Sequence, residues 1–97
     1  MADKTIYSCV NHDKKVHVII TLSNLTLRRP YYKLRIQGNW GGDSNDFTVN
    51  SKKGGLFEEF SKIGLAEFVG IPIEEFNWYI TAPWIAFQNH GYDLIKI

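Results

Sequence analysis

The single cysteine and the three histidines of this sequence, Cys9, His12, His17 and His90, are residue types that bind metal ions or serve as nucleophile and base. A zinc site needs three or four such ligands converging tetrahedrally. Nucleophilic catalysis needs a base beside the nucleophile and a third group that orients the base. Cys9 is the only cysteine, and His90 is remote in sequence from the other three. The spacing therefore predicts an ordinary strand cysteine and neither a metal nor a cofactor.

Paired glutamates are the second group of residues that could take part in catalysis. The triplet Glu-Glu-Phe occurs at 58–60 and again at 74–76. Two carboxylates that share a site can act as general acid and general base. Adjacent residues of a helix point about 100° apart, so neither pair shares one face. The chain shows none of the groupings that catalysis requires, and we expect a protein that is not an enzyme.

The glycine-rich stretch 38–46, GNWGGDSND, is a third candidate, since glycine loops can cradle phosphates. It lacks the Gly-Lys-Ser/Thr ending of a P-loop and the spaced glycines of a dinucleotide-binding fingerprint. Its composition is typical of a turn. We therefore expect a loop here and no nucleotide site.

The distribution of charge along the chain is more informative than any motif. Residues 1–53 carry nine Lys or Arg and four Asp or Glu, a net of +5, whereas residues 54–97 carry two Lys and six Asp or Glu, a net of −4. The two sums give the net charge of +1 of the whole chain. The pattern predicts a basic half and an acidic half on one small molecule.

The acidic half suggests one kind of partner. Carboxylates spread over a surface can pair with the same Lys and Arg side chains that bind DNA phosphates. Such a local mimic of DNA would consist of Asp43, Asp46, Glu58, Glu59, Glu67, Glu74 and Glu75. The alternative is helix chemistry, because negative charge in the first turn is favoured by the helix dipole. Glu67 is the residue that helix chemistry explains least, since it falls late in its predicted helix.

The basic half suggests the opposite kind of partner. Cations that bind phosphates and aromatic rings that stack on bases are typical of a nucleic-acid surface. The candidate residues are Arg28, Arg29, Lys33 and Arg35, near Tyr31 and Tyr32. The alternative is that these cations solvate the outer side of an amphipathic strand.

Periodicity predicts the elements that carry these residues. Strands are expected over 5–10, 16–22 and 32–37, with a short strand at 47–49. Helices are expected over 56–69, weakened by Gly64 and stopped by Gly70, and over 72–80. Residues 84–88 and 92–97 favour a final hairpin, or one strand and an extended segment.

The expected fold is α+β, a single small domain over 1–97, with an antiparallel sheet of three to four strands and two short helices on one face. We predict that the core contains Ile6, Val18, Ile20, Leu34, Ile36, Phe60, Ile63 and Phe76. The N-terminus lacks the pattern of a signal peptide, and no stretch approaches the ~20 apolar residues of a membrane span. These features predict a cytoplasmic protein.

In its length, its fourteen aromatic residues and its lack of a catalytic motif, the chain resembles small phage-encoded anti-CRISPR proteins, particularly those acting on type I surveillance complexes. The resemblance implies an inhibitor that binds a Cas effector complex in the host cytoplasm and blocks its binding to target DNA. Those proteins share no common motif, so no residue role is carried over. A dedicated DNA mimic is usually strongly acidic overall, so mimicry by this chain would be local.

The sequence thus leaves three interpretations open. The first is a non-enzymatic inhibitor of a nucleic-acid-binding complex that acts by protein–protein contact. The second is a small nucleic-acid-binding protein that uses the basic strand face. The third is a structural or assembly protein of a phage or bacterium.

Overall fold

A computed structural model of the chain describes residues 4–23, 31–40, 43–51, 58, 60–61, 64–79 and 82–97. Five strands form one antiparallel sheet. They are β1 (Lys4–Asn11), β2 (Val16–Ser23), β3 (Tyr31–Trp40), β4 (Asp43–Asn50) and β5 (Asp93–Lys96). In the described part of the chain, three short helices have defined bounds between β4 and β5: α1 (Leu65–Val69), α2 (Glu75–Trp78) and α3 (Trp84–Asn89).

The strand order is β4-β3-β2-β1-β5, so the first four strands form a meander and the last returns to the opposite edge. The β1–β2 turn is fixed by Asn11, whose buried side-chain oxygen accepts a hydrogen bond from the Lys14 backbone N–H at 2.9 Å. The first two expected strands and the strand over 32–37 are confirmed. The α+β class is also confirmed.

The sheet has five strands, where the sequence predicts three to four. Both β4, which contains the short strand expected over 47–49, and β5, which lies within the expected segment 92–97, belong to it. The loop expected over 38–46 is wrong, because its described residues belong to the end of β3 and the start of β4. Asp, Ser and Asn are poor strand formers in isolation. Here their backbone groups are satisfied by β3, with Asn39 opposite Ser44 and Trp40 opposite Asp43. Sheet pairing overrides the local preference.

The expected strand over 84–88 is wrong, since these residues lie in α3. A short apolar run does not by itself distinguish a strand from a buried helix. Pro83 precedes α3 at φ −61° and ψ −22°, and its fixed φ is compatible with a helix start.

The long helix expected over 56–69 is also wrong as one continuous element. Glu58, Phe60 and Ser61 are helical, but Gly64 has φ +73°, a left-handed conformation, and α1 begins after it. The helix expected over 72–80 is shorter, because α2 spans Glu75–Trp78. In place of two short helices, the described chain contains three between β4 and β5.

The helices pack on one face of the sheet around a core rich in aromatic rings. Phe60, Phe76, Phe87 and Tyr92 form a series with successive centroid distances of 4.2, 5.7 and 5.2 Å. The Tyr92 hydroxyl donates a hydrogen bond to the Val69 carbonyl at 2.8 Å, which joins the end of the series to α1. Stacked and edge-to-face rings contribute roughly 0.5–1.5 kcal/mol per pair beyond their buried area.

Six of the eight predicted core residues are buried: Val18, Ile20, Leu34, Ile36, Phe60 and Phe76. Ile6 is only half-buried, because the β1–β2 register shifts between Thr5 and Tyr7 and leaves Ile6 at the irregularity. Ile63 lies outside the described residues. In the described part of the chain, no helix has the length and apolar character that crossing a bilayer requires.

Candidate binding surface on the open face of the sheet

The two faces of the sheet have different environments. In β2, Val16, Val18 and Ile20 are buried under the helices, whereas the alternate residues remain partly exposed. Strand β3 repeats the pattern, with Leu34 and Ile36 buried and Lys33 and Arg35 exposed. We call the side away from the helices the open face. Its described residues include Ser8, Val10, His17, Ile19, Thr21, Lys33, Arg35, Gln37, Asp46 and Thr48.

The centre of the open face is a concavity of about 670 Å³. It is lined by Ile19, Thr21, Lys33, Arg35, Asp46 and Thr48. The register explains why these residues meet, because Lys33 lies opposite Thr21, and Arg35 lies between Ile19 on β2 and Thr48 on β4. Side chains directly opposite one another on antiparallel strands have Cβ atoms roughly 4.5–5.5 Å apart. The concavity is therefore a product of the sheet register and combines cations, hydroxyls and one apolar side chain.

Of the two cations among the described lining residues, Arg35 is already paired. Arg35 Nη2 lies 2.7 Å from Asp46 Oδ2, and Arg35 Nε contacts both carboxylate oxygens at 3.2 and 3.3 Å. Gln37 adds a longer hydrogen bond, with 3.4 Å between its Nε2 and Asp46 Oδ2. Hydrogen bonding and the charge of Asp46 raise the pKa of Arg35, and hydrogen bonding to Arg35 lowers the pKa of Asp46. The Asp46 charge is thus compensated within the chain.

The second cation is different. Among the described residues, Lys33 makes no ion pair or side-chain hydrogen bond. Its strand partner Thr21 instead shares a hydroxyl–hydroxyl hydrogen bond of 3.2 Å with Thr5. An exposed ammonium group in a concavity is available to an external anion.

A serine and a histidine also meet on the open face. Ser8 Oγ lies 2.7 Å from His17 Nε2, a distance suited to a nucleophile and its base. The residues opposite His17 on the neighbouring strands are Val10 and Gln37, so its cross-strand neighbours supply no carboxylate to orient the ring. The pair provides two of the three groups of a catalytic triad.

The remaining candidates for chemistry are dispersed. Cys9 is fully buried, and burial raises the pKa of its thiol to about 12, which keeps it protonated. His12 pairs with Asp93 at 3.1 Å on the surface, and His90 pairs with Glu75 at 2.8 Å between α3 and α2. No group of three or more His, Cys, Asp or Glu in the described part of the chain is arranged to hold a metal ion.

The predicted acidic residues do not share one environment. Asp43, Glu58, Glu67 and Glu74 are exposed. Asp46 is paired with Arg35. Glu75 is paired with His90, and only 15% of the Glu75 side chain is exposed. Glu67 lies in the first turn of α1, not late in a helix, because Gly64 separates α1 from the helical residues before it. Glu59 lies outside the described residues.

Of the predicted basic residues, Lys33 and Arg35 lie on the open face as their alternation predicts, and Arg28 and Arg29 lie outside the described residues. Sequence reasoning missed Ile19, Thr21 and Thr48. The alternation along β2 contains a signal for the first two, since they are out of phase with Val18 and Ile20. Thr48 could be placed beside Arg35 only through the β3–β4 register.

No known protein family, curated protein or solved structure matches this chain.

Proposed function

We propose that this protein is a non-enzymatic inhibitor that binds a protein partner through the open face of its sheet. The observation that carries the proposal is the make-up of the central concavity, where Lys33, Arg35 and Asp46 surround Ile19 and two threonines. Protein-binding surfaces combine apolar and polar groups in this way, and arginine is enriched in them. Neighbouring positive and negative side chains also suit selective recognition, because the partner must present complementary charges.

A protein partner is favoured over nucleic acid by two features of the same surface. Arg35 is compensated by Asp46, and the Asp46 carboxylate would repel a phosphate close to it. None of the described residues that line the concavity is aromatic, so these residues offer no stacking platform for bases. Direct nucleic-acid binding through Lys33 and Arg35 is therefore the second interpretation.

The resemblance to small anti-CRISPR proteins supplies the partner to test first, a Cas surveillance complex whose binding to target DNA would be blocked. Occlusion by the open face accounts for such inhibition without phosphate imitation. Imitation by carboxylates has fewer residues available than the sequence suggests, because Asp46 and Glu75 are paired within the chain. Asp43, Glu58, Glu67 and Glu74 are the exposed acids through which it would act.

The test is an electrophoretic mobility-shift assay of a purified type I surveillance complex with its target DNA. We expect the wild-type protein to suppress the shift. Thr48→Arg adds a bulky side chain beside Arg35 and should raise the concentration needed at least tenfold. Asn77→Arg makes the same kind of change on the exposed side of α2 and should have no effect.

Each contrary result identifies a different alternative. If Glu67→Lys combined with Glu74→Lys relieves inhibition and Thr48→Arg does not, the acidic surface is the functional one. If the protein alone shifts DNA or RNA with a steep dependence on salt, the nucleic-acid interpretation is correct. If the surveillance complex neither binds the protein nor loses DNA binding, the partner class is wrong.

A further inference from the structure

We infer that the concavity around Lys33 is a recognition site for one carboxylate, supplied by an Asp or Glu side chain of the protein partner. This inference rests on the proposed function and specifies the chemistry that the open face recognises. The anion is identified by the charges, the hydrogen-bonding groups and the apolar surface of the concavity.

The charges of the lining residues define the charge of the ligand. Among the lining residues that the structure describes, Lys33 and Arg35 contribute two positive charges and Asp46 one negative charge, which leaves one positive charge. Since Arg35 and Asp46 neutralise each other at 2.7 Å, the uncompensated charge lies on Lys33. A single carboxylate complements this charge, whereas a phosphate chain would bring several negative charges close to Asp46.

The neighbours of Lys33 provide the other contacts that a carboxylate side chain needs. Thr21 lies directly opposite Lys33, and when the Thr5 hydroxyl donates to the Thr21 hydroxyl, the Thr21 proton can be donated to an oxygen of the ligand. Ile19 lies two residues from Thr21 on the same face of β2, opposite Arg35. It offers apolar surface to the methylene groups that carry the carboxylate. The concavity is open, so it can take a side chain that projects from a protein surface.

The test is an NMR titration of the intact protein with the capped peptide acetyl-Leu-Glu-Leu-amide, and with the matched Gln peptide as control. We expect the Glu peptide to shift the backbone amide signals of Thr21, Lys33 and Thr48, with an affinity at least threefold above that of the Gln peptide. Lys33→Gln should remove this difference. Lys96→Gln removes an exposed lysine from β5, outside the concavity, and should preserve it.

Other outcomes overturn the inference. Equal affinity for the Glu and Gln peptides, or no shift at these residues, contradicts a carboxylate site. Stronger binding of inorganic phosphate or of a thymidine hexanucleotide at the same residues identifies a phosphate site instead. If Thr48→Arg relieves inhibition of the surveillance complex while Lys33→Gln leaves it unchanged, the proposed function stands and the carboxylate site falls. If the Glu peptide binds as expected but open-face variants inhibit normally, the carboxylate site stands and the proposed function falls.

Discussion

Cys9 shows how burial controls the chemistry of a single residue. Its pKa of about 12 compares with an ordinary value of 9.0, and the cause is desolvation. Below pH 9 the thiol is protonated in both the folded and unfolded states, so its contribution to stability is constant. As the pH rises from 9 towards 12, the unfolded chain loses the proton and the folded chain keeps it, so the free energy of unfolding falls.

The first prediction follows from this sign. Between pH 8 and pH 10 the free energy of unfolding of the wild type should fall by about 1 kcal/mol more than that of Cys9→Ala, because each unit of pKa difference corresponds to about 1.4 kcal/mol. Urea denaturation at the two pH values measures the difference. Parallel pH dependence in the two proteins would show that Cys9 ionises as freely in the folded state as in the unfolded chain.

Gly38 is a residue whose lack of a side chain is required by packing. A Cβ at this position would lie 3.0 Å from the Lys15 carbonyl oxygen, 3.0 Å from Phe68 Cζ and 3.2 Å from Val16 Cγ2. Gly38 thus permits α1 and the β1–β2 turn to approach the end of β3.

The second prediction is that Gly38→Ala destabilises the protein by about 1–3 kcal/mol, since overpacking forces neighbouring groups to move. For a domain of this size that corresponds to a fall in Tm of at least about 4 °C in thermal denaturation. Asn39→Ala, at the exposed neighbouring position, should change Tm by much less. A Gly38→Ala protein with unchanged Tm would mean that Phe68 moves aside without cost.

At the scale of elements, strands with strict alternation were the easiest to predict. Leu34 and Ile36 alternate with Lys33 and Arg35, which fixes both the strand and the exposure of its cations. The candidate site was therefore predictable on β3. Its remaining residues lie on β2 and β4, and only the register brings them beside Lys33 and Arg35.

The elements that sequence reasoning missed were those decided by tertiary structure. The polar start of β4 is a strand because β3 satisfies its backbone, and the apolar run of α3 is a helix because it packs against the sheet through Trp84. The sequence marks Gly64 as a weak point of the helix expected over 56–69 and does not show that it ends one helix before the next begins. Its φ of +73° separates helical residues that share one hydrophobic pattern. A helical pattern of apolar residues does not reveal a residue inside the pattern whose backbone is left-handed.

The third prediction concerns the pairing of α2 with α3. His90 Nε2 and Glu75 Oε1 are 2.8 Å apart, with 28% and 15% of their side chains exposed, so water screens this pair only in part. A double-mutant cycle with Glu75→Ala and His90→Ala should give a coupling energy of about 1 kcal/mol by thermal or chemical denaturation. The exposed pair His12–Asp93 is the control and should give about 0–0.5 kcal/mol. Equal coupling energies for the two pairs would contradict the role of burial.

At the scale of the whole molecule, the final strand closes the sheet by pairing with the first. Tyr7 lies opposite Lys96, so this contact joins residues that are distant in sequence. Strand β2 lies at the centre of the sheet, and β4 and β5 form its two edges. Local opening is expected to begin at edges and to reach the central strand last.

The fourth prediction is a pattern of amide hydrogen exchange that reports this order. The amides of Val18 and Ile20 in β2 should be among the slowest to exchange, and those of β5 should be faster. Directly after β5, the Ile97 N–H donates to the Ile6 carbonyl at 3.0 Å. Because N–H groups alternate in direction along a strand, the N–H of Ile95 also points to β1, whereas those of Leu94 and Lys96 point outward.

Leu94 and Lys96 should therefore exchange at least tenfold faster than Ile95, as measured by NMR on the protein at low concentration. The neighbouring amides of one short strand are the matched control, since they share the same local opening. Equal protection of Lys96 and Ile95 would show that the outer edge of β5 is hydrogen-bonded to another strand in solution. Exposed edges pair with further chains in this way, and the protection would then rise with protein concentration. Protection that is independent of concentration would place the covering strand within the same molecule.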